Sequence, residues 1–464
     1  MTYHLGLFSL AMLITGAIDN IRNLPSTALF GSSLVFYFIL AAITFLIPNA
    51  LISAELAGSK HGGGVYRWSS AALGQSMGFF TIWLQWINTM VWYPTILSFI
   101  AGTAIFFIDP ALAQNKVYLI SIILVVFWSL TLLSMRGIHI SARFASICGL
   151  IGMVIPMVLI ALCGVIWLVS GHTSQVSLHW SALIPSLKNT DSWSSLTSIT
   201  AAFLGIELAS VHANHLKNPG HDYPKALLIS VTLILITMIL GSLTIAMILP
   251  TAQINLVDGV VQAFDNFLAV YHARFLLPVL VVMILLGSLG GMVSWIISPA
   301  KGLLQAGQDG FLPAWLSREN KHGSPGNLLL LQAVLVSLVC LAFLLMPSVN
   351  GSYWLLTDLS TQLYLFMYVI MLISGIKLKW QNNIGGTGFQ INGGRVGTLI
   401  VGLFGLLGCV IGIAIGFKPP SGIDVGSFWH YETVFSLGIL LFVLPVSFFY
   451  WYARLKRKEL IIKP

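Results

Sequence analysis

Ser198-Ile-Thr-Ala-Ala-Phe-Leu-Gly-Ile-Glu207-Leu-Ala-Ser-Val, followed by His212-Ala-Asn214-His-Leu-Lys-Asn-Pro219-Gly-His-Asp-Tyr-Pro224, sets one carboxylate in the middle of an apolar run. At mid-bilayer a carboxylate costs about 2.5–3.5 kcal/mol on the insertion scale, so residues kept there handle ions, protons or substrate. Gly205 stands just before Glu207, and Asn218-Pro219-Gly220 follows it. Small and helix-breaking residues here predict an interrupted helix, the arrangement with which transporters build a mid-membrane site.

The rest of the chain supplies the membrane. It has 464 residues, 57% hydrophobic and 8% charged, with a mean hydropathy of +0.92. Soluble domains carry about 25% charged residues. The reading is an all-α polytopic membrane protein. Apolar runs of about 20 residues count as spans. Twelve are predicted, centred near 17, 43, 93, 126, 157, 204, 238, 287, 337, 365, 406 and 440. With 43 Gly and 18 Pro, the spans are expected to be kinked and closely packed. Loops are short, and no soluble domain is expected.

Charge predicts orientation. Of 22 Lys and Arg, only Lys116, Lys188, Arg274 and Lys418 fall on one side and Arg22 within a span; the other seventeen fall opposite. The positive-inside rule then puts both termini in the cytoplasm. The same bias accounts for the net charge of +8 without a nucleic-acid partner. The N-terminus lacks a charged n-region, so the first span reads as a retained helix rather than a signal peptide. Cys148, Cys163, Cys340 and Cys409 fall in apolar spans without metal spacing, as packing residues do. His212 and His215 lack further ligands, and no metal or cofactor is expected. His172 and His179 belong to an external Ser- and Trp-rich segment. A second external segment, Asn255 to Leu268, puts Val257, Val260, Val261, Phe264 and Leu268 on one helical face. It reads either as a gate at the outer mouth or as a plain covering helix.

The first span is as irregular as the sixth. In Leu13-Ile-Thr15-Gly16-Ala-Ile-Asp19-Asn20-Ile-Arg22-Asn-Leu-Pro25, Gly16 with Asp19 and Asn20 predicts a break, one of the latter two capping a second half-helix. Broken spans one and six in two five-span halves point to inverted repeats with a site between them. That places a ten-helix core at 1–380 and two additional spans with a short tail at 381–464. Half-helix N-termini suit a carboxylate and free carbonyls suit an ammonium. An amino acid carries both groups.

Several blocks, taken in order, carry a family resemblance. They are Gly31-Ser-Ser-Leu-Val-Phe through Pro48 to Ala54-Glu55-Leu-Ala; Gly62-Gly-Gly-Val-Tyr66-Arg-Trp68; Gly205-Ile-Glu207 through Asn214 to Asn218-Pro-Gly-His-Asp222-Tyr-Pro224; and Gly287 to Trp295 with Gln308-Asp309-Gly-Phe-Leu-Pro313. From about residue 5 to 455 the chain resembles the amino acid–polyamine–organocation superfamily. Within it the chain is most similar to the bacterial glutamate/GABA antiporters, and more loosely to the arginine/agmatine antiporters. The resemblance implies a LeuT-like fold of twelve helices with inverted five-helix repeats and broken helices 1 and 6. It also implies alternating-access amino acid exchange or proton-coupled uptake in a bacterial inner membrane. The chain departs from the pattern as well. Little follows Tyr452, so the glutamate/GABA antiporter's cytoplasmic plug is expected to be absent. An acidic position of that antiporter is Gly291 here, and a tyrosine position is Arg22. The arginine/agmatine relative's tryptophan position is Met292. The tyrosine pair is kept as Tyr364 and Tyr368.

The substrate-binding set expected from these readings is Gly16, Ala17, Ile18, Asp19, Asn20 and Arg22 in span one, Leu204, Gly205 and Glu207 in span six, Met292, and Tyr364 with Tyr368. Each has a plainer alternative. Glu207 is either a gating or proton-sensing group or a structural carboxylate tied to nearby backbone. Asp19 and Arg22, three apart, either pair with each other or leave Arg22 as countercharge to an anionic ligand. Tyr364 and Tyr368 either line the substrate path or form a packing stripe. Asp358 reads as interfacial. The function expected is secondary transport of acidic or neutral amino acids by a monomer or homodimer. A membrane sensor without flux is the alternative. A channel or an integral-membrane transferase fits less well, since no filter ring or catalytic cluster is evident.

Overall fold

The computed structural model describes residues 6–61, 63–106, 108–136, 148–185, 193–210, 216, 218–386 and 388–462. Every regular element described is helical, with no strand. The first span forms α1, Leu7–Ile18, and stops where Asp19 and Asn20 become extended. The Asn20 side chain accepts from the Arg22 amide and starts a 3₁₀ turn, Ile21–Asn23. Helix α2, Leu24–Ala28, follows with Pro25 in its first turn, where a missing N–H costs nothing. In the second span a π turn at Ala42–Leu46 precedes α3, Ile47–Ala57, whose first turn holds Pro48. The sixth span is α4, Ser195–Ala202, then α5, Ile206–Ser210. Downstream come α6, Pro219–Ile248; α7, Gly259–Val270; α8, Leu277–Gln308; α9, Val349–Trp380; α10, Gly394–Gly416; and α11, Phe428–Val443.

Nine helices among the described residues are long and apolar enough to cross a membrane. Their positions match nine of the predicted spans. The other three have physical reasons to differ. Spans one and six are cut into short pieces, and Gln75–Ile105, though 31 residues long, carries Gln85, Asn88, Thr89 and Tyr93 among its apolar residues. Large apolar side chains stand exposed along the long helices, such as Leu228 and Leu441 at 68% each. In water such surface is a liability; against lipid it is the expected face.

The described chain divides into two compact units. The first holds residues 1–81, 157–253 and 364–420. In it α1 and α2 lie along α6, and α1 also packs against α5. Thr27 and Ser242 share a hydrogen bond of 2.6 Å, and Ser230 donates to the Ala11 carbonyl at 2.8 Å. Ser198 of α4 donates to Ser26 of α2 at 2.7 Å, so the two broken spans are stitched by side chains. Helix α10 presents glycines to its neighbours. A Cβ on Gly408 would run into the Thr44 backbone, and one on Gly405 would press on Leu372 and Pro48.

The second unit holds residues 82–156, 254–363 and 421–464. There α8 meets the π turn Leu150–Val154 where Gly287 and Gly152 touch backbone to backbone. Tyr93 donates to the Trp295 carbonyl at 2.7 Å, and Gln332 bridges Trp86 and the Ile296 carbonyl. Helix α7 begins at Gly259, later than the sequence pattern indicates, but Val257, Val260, Val261, Phe264 and Leu268 are all buried.

Candidate functional site

The break in span six is built by one residue. Gly205 has φ +100°, a conformation that side-chain-bearing residues rarely adopt. It lets the chain leave α4 and restart at Ile206 with Glu207 in the first turn of α5. The Glu207 carboxylate is buried, 2% exposed. Both its oxygens are held by phenols from α9. Tyr364 donates to Oε1 at 2.6 Å, and Tyr368 donates to Oε2. The Tyr368 oxygen in turn accepts the Gly205 amide at 3.0 Å. One phenol thus joins the backbone of the break to the carboxylate beside it. The two rings meet edge to face at 5.3 Å, and Phe45 packs on Tyr368 at 5.1 Å. Leu204, half-buried, lies in the turn.

The span-one break faces the same elements, since α1 runs against α5 and α2 against α4. Asp19 is buried. Thr237 of α6 donates to its Oδ2 at 2.9 Å, while Oδ1 has no hydrogen-bond partner among the described residues. No ion pair joins Asp19 to Arg22 among the described residues. The spacing of three brings side chains together only on a continuous helix, and here the helix ends at Ile18. Arg22 is buried at 6% exposure. Gly16 is exposed with open space where a Cβ would stand. Ile18 is buried and Asn20 half-buried. Ala17 sits in the last turn of α1, its side chain outside the described ones. Met292 is buried in α8 of the second unit. His212, Asn214 and His215 lie outside the described residues.

Other carboxylates not foreseen as buried include Glu55 and Asp358. Glu55, 1% exposed, is paired with Lys379 at 2.5 Å. It also accepts the Ile391 amide at 3.2 Å and the Thr398 hydroxyl at 3.0 Å. Asp358 is fully buried within the protein. Tyr431 of α11 donates to it at 2.7 Å and Gln362 at 3.3 Å. Position along a span is visible in sequence; a partner 73 residues away is not. The described residues hold no cluster of three or more His, Cys, Asp or Glu placed to bind a metal.

A family profile described as amino acid permease matches residues 5–444. The chain belongs to this amino acid permease family, part of the amino acid–polyamine–organocation superfamily. Relatives agree along nearly the whole length. An uncharacterized transporter of Legionella pneumophila is 40% identical over 440 residues, 95% of each chain. A glutamate/gamma-aminobutyrate antiporter of Lactococcus lactis is 27% identical over 450 residues, 95% of this chain and 89% of the relative. A probable agmatine/putrescine antiporter of the same species is 24% identical over 377 residues, 80% and 79%. The family has the LeuT fold, in keeping with the breaks at Asp19–Asn20 and Gly205. The permease-family protein is a multi-pass membrane transporter and not an enzyme.

Proposed function

We propose that this transporter exchanges amino acids, or takes them up with protons, by alternating access across twelve membrane crossings, with Glu207 as the group that couples protonation to the broken site. The observation that carries the reading is a buried carboxylate whose two oxygens are both held by neutral phenols at the break itself. An ionised carboxylate only accepts; a protonated one also donates. Gain of a proton therefore adds a donor that needs an acceptor of its own, and a phenol oxygen can take it as that phenol turns its O–H. Tyr368 also holds Gly205, so a change at the carboxylate reaches the turn between the half-helices.

The ligand-binding set comprises both breaks with Tyr364 and Tyr368. Buried Arg22 supplies permanent positive charge beside the first break, which favours acidic or neutral amino acids and repels cationic ones. The glutamate and gamma-aminobutyrate for which the Lactococcus antiporter is named fit that preference. Counterflow in proteoliposomes against the common amino acids and their decarboxylation products tests both points. Glutamate, GABA or a neutral amino acid should exchange; arginine or agmatine exchanging as well as glutamate would overturn the role of Arg22. Flux of any substrate separates a carrier from a sensor. The basic-residue asymmetry supports a reading with both termini in the cytoplasm of a bacterial inner membrane. A cysteine at Ser174 should label in intact cells and one near the C-terminus should not.

A further inference from the structure

We propose that the groove between the facing ends of α9 and α10 is a binding site for one phospholipid with an anionic headgroup. The groove has a volume of about 490 Å³ and is walled by Ile373, Ile376, Leu399 and Leu403, with Lys377 and Trp380 among its lining residues. Its origin lies in the glycine face of α10. Gly402 sits against Ile376 and Gly405 against Leu372, drawing the helices together. Beyond Gly402 the full-sized Leu399 and Leu403 line the gap instead. An apolar cleft open to the lipid-facing side of two spanning helices fits acyl chains.

The rim supplies the headgroup chemistry. Lys379 is committed to Glu55. Lys377, two positions before it, is exposed, and its side chain makes no ion pair among the described residues. Arg395 is exposed in the first turn of α10, one short connection away. Trp380 is 51% exposed at the helix end, where amphipathic rings sit at headgroup level. Basic pockets between spanning helices bind phosphate-bearing headgroups. The same charge argues against a second copy, because an isologous contact would bring each basic rim against its equal. This inference does not depend on the transported substrate.

Native mass spectrometry of the detergent-purified full chain, titrated with phosphatidylglycerol and with phosphatidylcholine of the same acyl chains, tests it. The wild type should retain one phosphatidylglycerol in preference to phosphatidylcholine. Lys377→Gln, a change at an exposed side chain, should weaken phosphatidylglycerol binding about fivefold and leave phosphatidylcholine unchanged. Leu403→Trp, which fills the groove, should lower both. Unchanged phosphatidylglycerol retention in both variants would overturn the proposal. So would a dimer that Leu403→Trp dissociates without altering lipid retention, since the groove would then belong to a second copy.

Discussion

Glu55 and Glu207 are both buried carboxylates of the first unit, and each has both oxygens engaged. They differ in what engages them. Glu55 faces the fixed cation of Lys379, with an amide and a hydroxyl completing its shell. Glu207 meets two phenols. The ion pair and its two accompanying hydrogen bonds fasten α3 to the end of α9, to Ile391 and to α10. Phenols can turn their O–H groups as the carboxyl gains or loses a proton. Burial alone therefore does not tell the two apart; the charge of the partners described for each does.

The largest effect is expected where the cation is. Glu55→Ala leaves Lys379 partly buried without its counterion, and such losses cost about 3–5 kcal/mol. Thermal unfolding of purified protein should fall steeply, and Glu55→Ala/Lys379→Met should recover part of the loss. A mild Glu55→Ala would place the pair among solvent-screened surface bridges instead.

Asp258 sharpens the comparison from outside the spans, because among the described residues it meets neither a cation in an ion pair nor a phenol hydrogen bond. It heads α7, 2% exposed, with Oδ1 lacking a hydrogen-bond partner among the described residues. Burial pushes its carboxyl up to about 6, against a smaller opposing pull from the Asn255 side chain. The folded value lies above the ordinary 3.8, so this stabilising contribution is complete below pH about 4 and is lost as pH rises through about 6. At about 1.4 kcal/mol per pH unit, the loss reaches about 3 kcal/mol. Asp258→Asn should flatten the fall in melting temperature between pH 4 and 7. An equal slope in the variant would clear Asp258 of the effect.

The phenols themselves should rank. Tyr368→Phe removes the acceptor of the Gly205 amide and the donor to one Glu207 oxygen, whereas Tyr364→Phe removes the donor to the other oxygen. With about 1–3 kcal/mol for each buried group left unsatisfied, Tyr368→Phe should be the more destabilising. Equal losses would deny Tyr368 its hold on the break.

Much of this was legible in the chain. An isolated carboxylate two residues after a glycine marked the sixth-span break, and Asn20 marked the first. Tyr364 and Tyr368, four apart, share a helix face with any sequence partner left unspecified. What failed was long-range or depended on geometry the break itself altered. Asp19 and Arg22 have helical spacing but no shared helix. Glu55 finds Lys379 across 324 positions, and Asp358 finds Tyr431 across 73. Hydropathy reports the depth of a residue in a span, and carries nothing about who meets it there.

The central claim is that Glu207 couples protonation to the broken site. The direct measurement is the pH–rate curve of counterflow in proteoliposomes for wild type and Glu207→Gln, with folding checked by thermal unfolding. Gln can still accept from one phenol at its carbonyl, but it cannot exchange a proton. A folded Glu207→Gln protein whose transport has lost or displaced the wild-type pH dependence is the predicted result. Normal uptake with an unaltered pH–rate curve would contradict it and make Glu207 a structural carboxylate like Glu55.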